Sequence, residues 1–140
     1  MDPVVTHLNP EDMHVNPAYS QAVMVEGNAR TIYIGGQNAV DASGAVVGVG
    51  DLAAQTEQVL ANVESILAAA GATLHDVIKW SVYIVQGNDL GPGYAVFQQK
   101  WGTSAKPPAV TAMFVAGLAH PDFLVEIEAI AIPGAAASQH

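Results

Sequence analysis

The chain of 140 residues is 51% hydrophobic and only 12% charged, against a typical ~25% charged, which excludes an intrinsically disordered protein and leaves too little charge to coat every face of a lone small domain. Four basic residues against thirteen acidic ones give a net charge of −9, and Arg30, Lys79, Lys100 and Lys106 are scattered, which argues against nucleic acid and against an anionic membrane surface as partners. The absence of cysteine excludes a disulfide scaffold, a thiol nucleophile and a thiolate metal site.

The opening residues, Met1-Asp2-Pro3-Val4-Val5-Thr6-His7, carry no basic stretch before an apolar run and do not read as a secretion signal. The longest uncharged apolar-rich run, Pro107 to Ala119, is 13 residues, short of the roughly 20 that span a bilayer. A cytoplasmic location is the expectation. Val4 to Leu8 reads as a strand, followed by an irregular segment punctuated by Asn9-Pro10 and Asn16-Pro17. Ser20 to Val25 and Thr31 to Ile34 are β-rich runs on either side of Gly27-Asn28, which predicts a hairpin.

Gly48-Val49-Gly50-Asp51-Leu52-Ala53 fits the dinucleotide pattern G-x-G-x-x-A. It lacks a long preceding strand and a following chain of βαβ units, and Asp51 would repel a pyrophosphate, so it reads as a Gly-rich turn entering a helix. From Asp51 to Ala70 the apolar residues recur at three- and four-residue spacings, which predicts an amphipathic helix opened by Asp51 and stopped by Gly71. Asp76 to Val85 reads as a strand with Ile78, Trp80, Val82 and Ile84 on one face. Pro92 to Trp101 reads as a second helix, and strands follow at Ala109 to Gly117 and Leu124 to Ile132.

These elements predict one α+β domain over residues 1–133, a mostly antiparallel sheet with two helices on one face, and a disordered tail over 134–140. The strand from Ala109 is apolar on both sides, with Met113 and Val115 opposite Val110, Ala112 and Phe114. Two helices cover one side only, so the other face is expected to meet another subunit. The five histidines lie far apart, and no metal site is expected. Glu126 and Glu128 share one strand face among apolar residues and cannot easily both stay charged if buried, which suits a general acid or base; pairing with Lys79 or exposure to solvent is the alternative. His120, in the loop before the last strand, is placed to face a cleft or to be an ordinary surface residue.

Tyr19-Ser20-Gln21-Ala22, Ile32-Tyr33-Ile34-Gly35-Gly36-Gln37, Gly50-Asp51 with Gln55, Thr56 and Asn62, Asp76-Val77-Ile78-Lys79 and Val125-Glu126-Ile127-Glu128-Ala129-Ile130-Ala131 resemble the reactive-intermediate deaminase (Rid, or YjgF) family in its order and spacing. The resemblance implies a chorismate-mutase-like α+β subunit in a homotrimer, with three clefts between subunits that hydrolyse imines or enamines without a cofactor. It implies further that the cleft tyrosine is Tyr19, the backbone turn Gly35-Gly36-Gln37 and the water-positioning glutamate Glu126.

The family's Pro-Ala-Arg-Ser segment falls on Pro108-Ala109-Val110-Thr111, so Val110 stands where an arginine would grip a substrate carboxylate, and Ala112 where many members have cysteine. Valine offers neither charge nor hydrogen bond. The expected cleft is therefore apolar or neutral, lined by Tyr19, Val110, Thr111, Ala112, Phe114 and His120, with catalysis by Glu126 and Tyr19. A non-catalytic trimer binding a small molecule or a partner protein is the alternative. An endoribonuclease role is disfavoured by the acidic balance.

Overall fold

The computed structural model describes residues 3–137. Strands β1 (Val4–Leu8) and β2 (Ala22–Glu26) pair antiparallel as a two-stranded ribbon, and β3 (Ile32–Gln37) opens a second sheet. Helix α1 (Leu52–Ala69) begins where the Asp51 side chain accepts a hydrogen bond from the Ala54 backbone at 3.0 Å. It ends at Gly71, whose φ of 73° lets Gly71 and Ala72 donate back to the carbonyls of Ala68 and Leu67. Strand β4 (Val77–Val85), helix α2 (Gly91–Trp101), β5 (Ala109–Val115) and β6 (Val125–Ala131) follow.

The second sheet runs β3-β6-β4-β5, antiparallel except for β4 and β5, which are parallel because α2 carries the chain back across the sheet between them. Both helices lie on one face. Val59, Leu60, Val63 and Leu67 of α1 and Trp101 of α2 are buried against Ile34, Trp80, Ile127 and Ala129 of the sheet. At about 25 cal/mol per Å² this dry layer is the main source of stability. The opposite face carries Tyr33, Lys79, Ser81, Tyr83, Thr111, Met113, Glu126 and Glu128, and nothing among the described residues covers it; Tyr33 is 78% exposed and Met113 46%.

Three local expectations are corrected. The turn at Gly27-Asn28 does not close a hairpin: β2 pairs with β1, whereas β3 pairs with β6, so the turn carries the chain from one sheet to the other. A bulge at Ile78, between the pairs Val77–Ala131 and Lys79–Ile130, reverses the alternation at the start of β4. Val77 thereby joins Trp80 in the main core, while Ile78 packs with Val5, Ile132 and Ala135 in a second apolar cluster. Finally, residues 134–137 of the expected tail are ordered in a short 3-10 turn, because Ala135 is buried in that second cluster and the Asp76 carboxylate accepts the Ala136 N–H at 2.9 Å. The rest of the tail lies outside the described residues.

Candidate functional site

On the helix side of the sheet, β5 is an edge strand that the helices only partly reach. Val110 and Ala112 are in register with Trp80 and Val82, so they face the helices. Their side chains are too small to fill the space below α2, and a cavity of about 380 Å³ remains. Its walls include Tyr19, Trp80, Tyr94, Phe97, Val110 and Ala112. Phe97 meets Trp80 edge to face, with centroids 5.5 Å apart at 85°, which fixes the inner wall. The Trp80 indole N–H is buried without a partner among the described residues, and the Thr56 hydroxyl is committed to the Leu52 carbonyl at 2.7 Å. No Lys, Arg, His, Asp or Glu lines the chamber among the described residues.

Tyr19 reaches this chamber because the next residue is locked to the start of β5. The Ser20 N–H donates to the Pro108 carbonyl at 3.0 Å, and its hydroxyl to the Pro107 carbonyl at 2.6 Å. His7 of β1 also brings Nδ1 to within 3.0 Å of the Pro107 carbonyl, which can only accept, so Nδ1 carries the proton. Its Nε2 is buried and unpartnered among the described residues. Burial therefore pushes the His7 pKa below the usual histidine range, against the opposing pull of the Pro107 carbonyl and with help from the nearby Lys106 charge.

Glu126 lies elsewhere. It pairs with Tyr83 across β4, on the sheet face opposite Val110. The register of β3 shifts between Ile34, opposite Ala129, and Gln37, opposite Ile127, so Gly35 and Gly36 form an irregularity that brings the backbone of β3 against the Glu126 carboxyl. A Cβ at Gly36 would sit 2.7 Å from the Glu126 carboxyl carbon; only glycine leaves the room. Gln37 turns its amide back to the Gly35 carbonyl at 3.1 Å. Asn38 then donates to the Glu126 carboxylate at 3.2 Å. Asn38 is itself held by α1, whose Asn62 amide donates to the carbonyls of Asn38 and Val40 at 3.2 and 3.0 Å.

Glu128 has a separate partner. The Tyr83 hydroxyl donates to it at 2.5 Å, and this hydrogen bond raises the Tyr83 pKa. Lys79 donates instead to the Thr111 hydroxyl at 2.5 Å, on the same uncovered face.

One chain thus brings Tyr19, Val110 and Ala112 together, and separately Gly35, Gly36, Gln37 and Glu126, without joining the groups. Phe114 is half exposed at the far end of β5, and Thr111 faces away from the chamber. His120 is exposed, accepts the Asp122 N–H at 3.0 Å through Nδ1 and packs on Phe123, which makes it a turn-forming residue. Sequence reasoning missed Asn38, whose only signal is its place after the Gly-Gly-Gln turn, and Tyr94, which with Phe97 follows an i, i+3 spacing on α2. No cluster of three or more His, Asp or Glu able to hold a metal occurs among the described residues, and no described helix is long and apolar enough to cross a membrane.

Residues 11–133 match the family model described as endoribonuclease L-PSP. A RutC family protein of Pyrococcus horikoshii is 42% identical over 113 residues, covering 81% of this chain and 85% of its own. A 2-iminobutanoate/2-iminopropanoate deaminase of Bos taurus is 40% identical over 116 residues, covering 83% of this chain and 80% of its own. A solved structure of a conserved Rid family protein from Yersinia pestis shares the fold at a TM-score of 0.79 and 38% identity, covering 94% of this chain and 99% of that one.

Proposed function

The chain belongs to the Rid (YjgF) family, and from that premise we propose that it is a cofactor-independent deaminase that hydrolyses an imine or enamine whose binding does not depend on an arginine. Water adds to the C=N carbon, the proton lost by water and one gained by nitrogen balance, and the carbinolamine collapses to a carbonyl compound and ammonia. Glu126 is the base that holds and deprotonates the water, and Tyr19 the hydroxyl that polarises the nitrogen. The observation that carries this reading is the Glu126 carboxylate, fixed by Asn38 above the bare backbone of Gly36. A preorganised carboxylate beside an open backbone suits a positioned water.

The site is completed between subunits. Tyr19, Val110 and Ala112 face the helix side and Gly36 and Glu126 the other, so a homotrimer in which the chamber of one subunit meets the Glu126 face of the next unites them in three clefts. The uncovered sheet face with Tyr33 and Met113 supports the same assembly. A cytoplasmic location and a small-molecule substrate, with neither nucleic acid nor membrane as partner, belong to this proposal. RNA cleavage fits poorly: only four basic residues are present, and Lys79 and Lys100 are engaged with Thr111 and Glu64.

Val110 favours one other reading, a trimer of the same fold that binds a small molecule or partner protein without chemistry. The two are separated by Glu126→Gln and Glu128→Gln, assayed on a panel of neutral and acidic imines. Glu126→Gln is expected to lower turnover by about 10² to 10⁴ with the trimer intact, while Glu128→Gln retains it. No turnover of any imine in the panel by the wild-type protein would leave the binding-protein reading in its place, whereas a fully active Glu126→Gln protein would remove Glu126 from the chemistry.

A further inference from the structure

The chamber between α1, α2 and β5 is larger and more apolar than a small imino acid requires. We infer that it is a recognition pocket for a bulky uncharged apolar group, aryl or branched alkyl, so that the substrates are imines or enamines of hydrophobic aldehydes and ketones. This rests on the deaminase reading for the chemistry and on the chamber alone for the binding.

Three observations carry it. The first is size: an apolar cavity of roughly 150 Å³ binds benzene, and here about 380 Å³ is available, room for a ring together with a short chain. The second is the wall, in which Trp80, Phe97, Tyr94 and Tyr19 present aromatic surface to a planar ligand, with Trp80 and Phe97 locked edge to face. The third is charge. A carboxylate brought into the chamber would lose its water and find no Lys, Arg or His among the described lining residues, with Val110 where a cation would be needed. Arg30 lies in the loop between β2 and β3, away from the chamber, and Lys100 is paired with Glu64 at 3.3 Å. A neutral ligand meets no such penalty, so the same walls that reject a 2-imino acid select for a hydrophobic carbonyl derivative.

The test titrates the full-length protein by calorimetry with 4-phenyl-2-butanone, 2-butanone and 3-phenylpropanoate. These compare a neutral arylalkyl ketone with a smaller neutral one and a carboxylate of similar size. The arylalkyl ketone is expected to bind at least about tenfold more tightly than either of the others. Ala112→Phe, which fills the chamber from an exposed strand position, is expected to weaken it at least about tenfold. Tyr94→Ala, at a half-exposed helix position, opens the wall and is expected to weaken it too, which covers a failure of the first variant to fold. Equal or tighter binding of 3-phenylpropanoate, no gain over 2-butanone, or unchanged binding in both variants would overturn the inference. Loss of the deaminase reading shows separately, as no imine turnover by the wild-type protein with ketone binding intact.

Discussion

Glu126 and Val110 lie on opposite faces of one sheet, and their surroundings differ as much as their positions. The carboxylate is held by a chain of polar contacts, from Asn62 of α1 through Asn38 to Glu126, over a glycine that leaves space beside it. Val110 looks into a chamber in which no charged side chain appears among the described residues. In the proposed deaminase the polar region would activate water and the apolar region, with no cation among its described walls, would choose the substrate. Chemistry and substrate choice would then sit on separate surfaces, so the second could change while the first is kept.

The largest effect tests the apolar region. Activity on 2-iminopropanoate and 2-iminobutanoate is expected to lie 10²-fold or more below that of an arginine-bearing relative, since a bidentate charged contact is missing. Val110→Arg should narrow that gap only slightly, because the described walls offer no acid to orient the guanidinium. Wild-type rates equal to the relative's would abolish the contrast.

Gly36→Ala sharpens it from the other side. The new Cβ meets the carboxyl end of the Glu126 side chain, which swings off Asn38 at little cost to folding. Turnover is expected to fall about 10- to 100-fold with ketone binding unchanged and the melting temperature within about 2 °C. An equal loss of binding would mean that the two regions are not independent.

Asp76→Ala is a control outside both regions. Its buried carboxylate accepts the Thr73 and Ala136 N–H groups at 2.9 Å each, tying the C-terminal turn to the start of β4. Losing both bonds is expected to cost about 2–3 kcal/mol, roughly 8–10 °C in melting temperature, with little change in kcat at a temperature where the variant is folded.

The smallest effect is on pH. His7, which braces the Ser20–Pro107 contact behind Tyr19, has its pKa lowered by burial, so the unfolded chain binds the proton more readily than the folded one. Its stabilising contribution is present above the unfolded value of about 6.5 and is lost as pH falls below it toward the lower folded pKa. Thermal melts from pH 7.5 to 5 should show this loss, and His7→Gln should flatten the slope.

Much of this was legible in the residues. The spacing of Val59, Leu60, Val63 and Leu67, with Asp51 and Gly71 at its ends, marks α1 within a residue or two. The doubly apolar β5 announces a sheet face that one subunit leaves bare. Pairing was not legible. The Gly27-Asn28 signal is local and predicts a turn, but long-range register decides which strands it joins, and it joins two sheets. The bulges at Ile78 and at Gly35-Gly36 each depend on a partner strand distant in sequence. For the same reason Glu126 and Val110 read as neighbours in one cleft. Only the registers of β5 and β6 on β4, Val110 opposite Trp80 and Glu126 opposite Tyr83, put them on opposite faces.

The most direct measurement is complementation between two disabled subunits. Glu126→Gln spoils the polar region and Ala112→Phe fills the chamber, so each homotrimer is expected to be nearly inactive on a hydrophobic imine. Differently tagged chains are co-expressed, mixed trimers are isolated through both tags, and turnover is compared with the parents. If each cleft takes its chamber from one subunit and its glutamate from the next, mixed trimers contain intact clefts and regain on the order of a third of wild-type turnover. Mixed trimers as inactive as their parents would contradict a site built from two faces of two subunits.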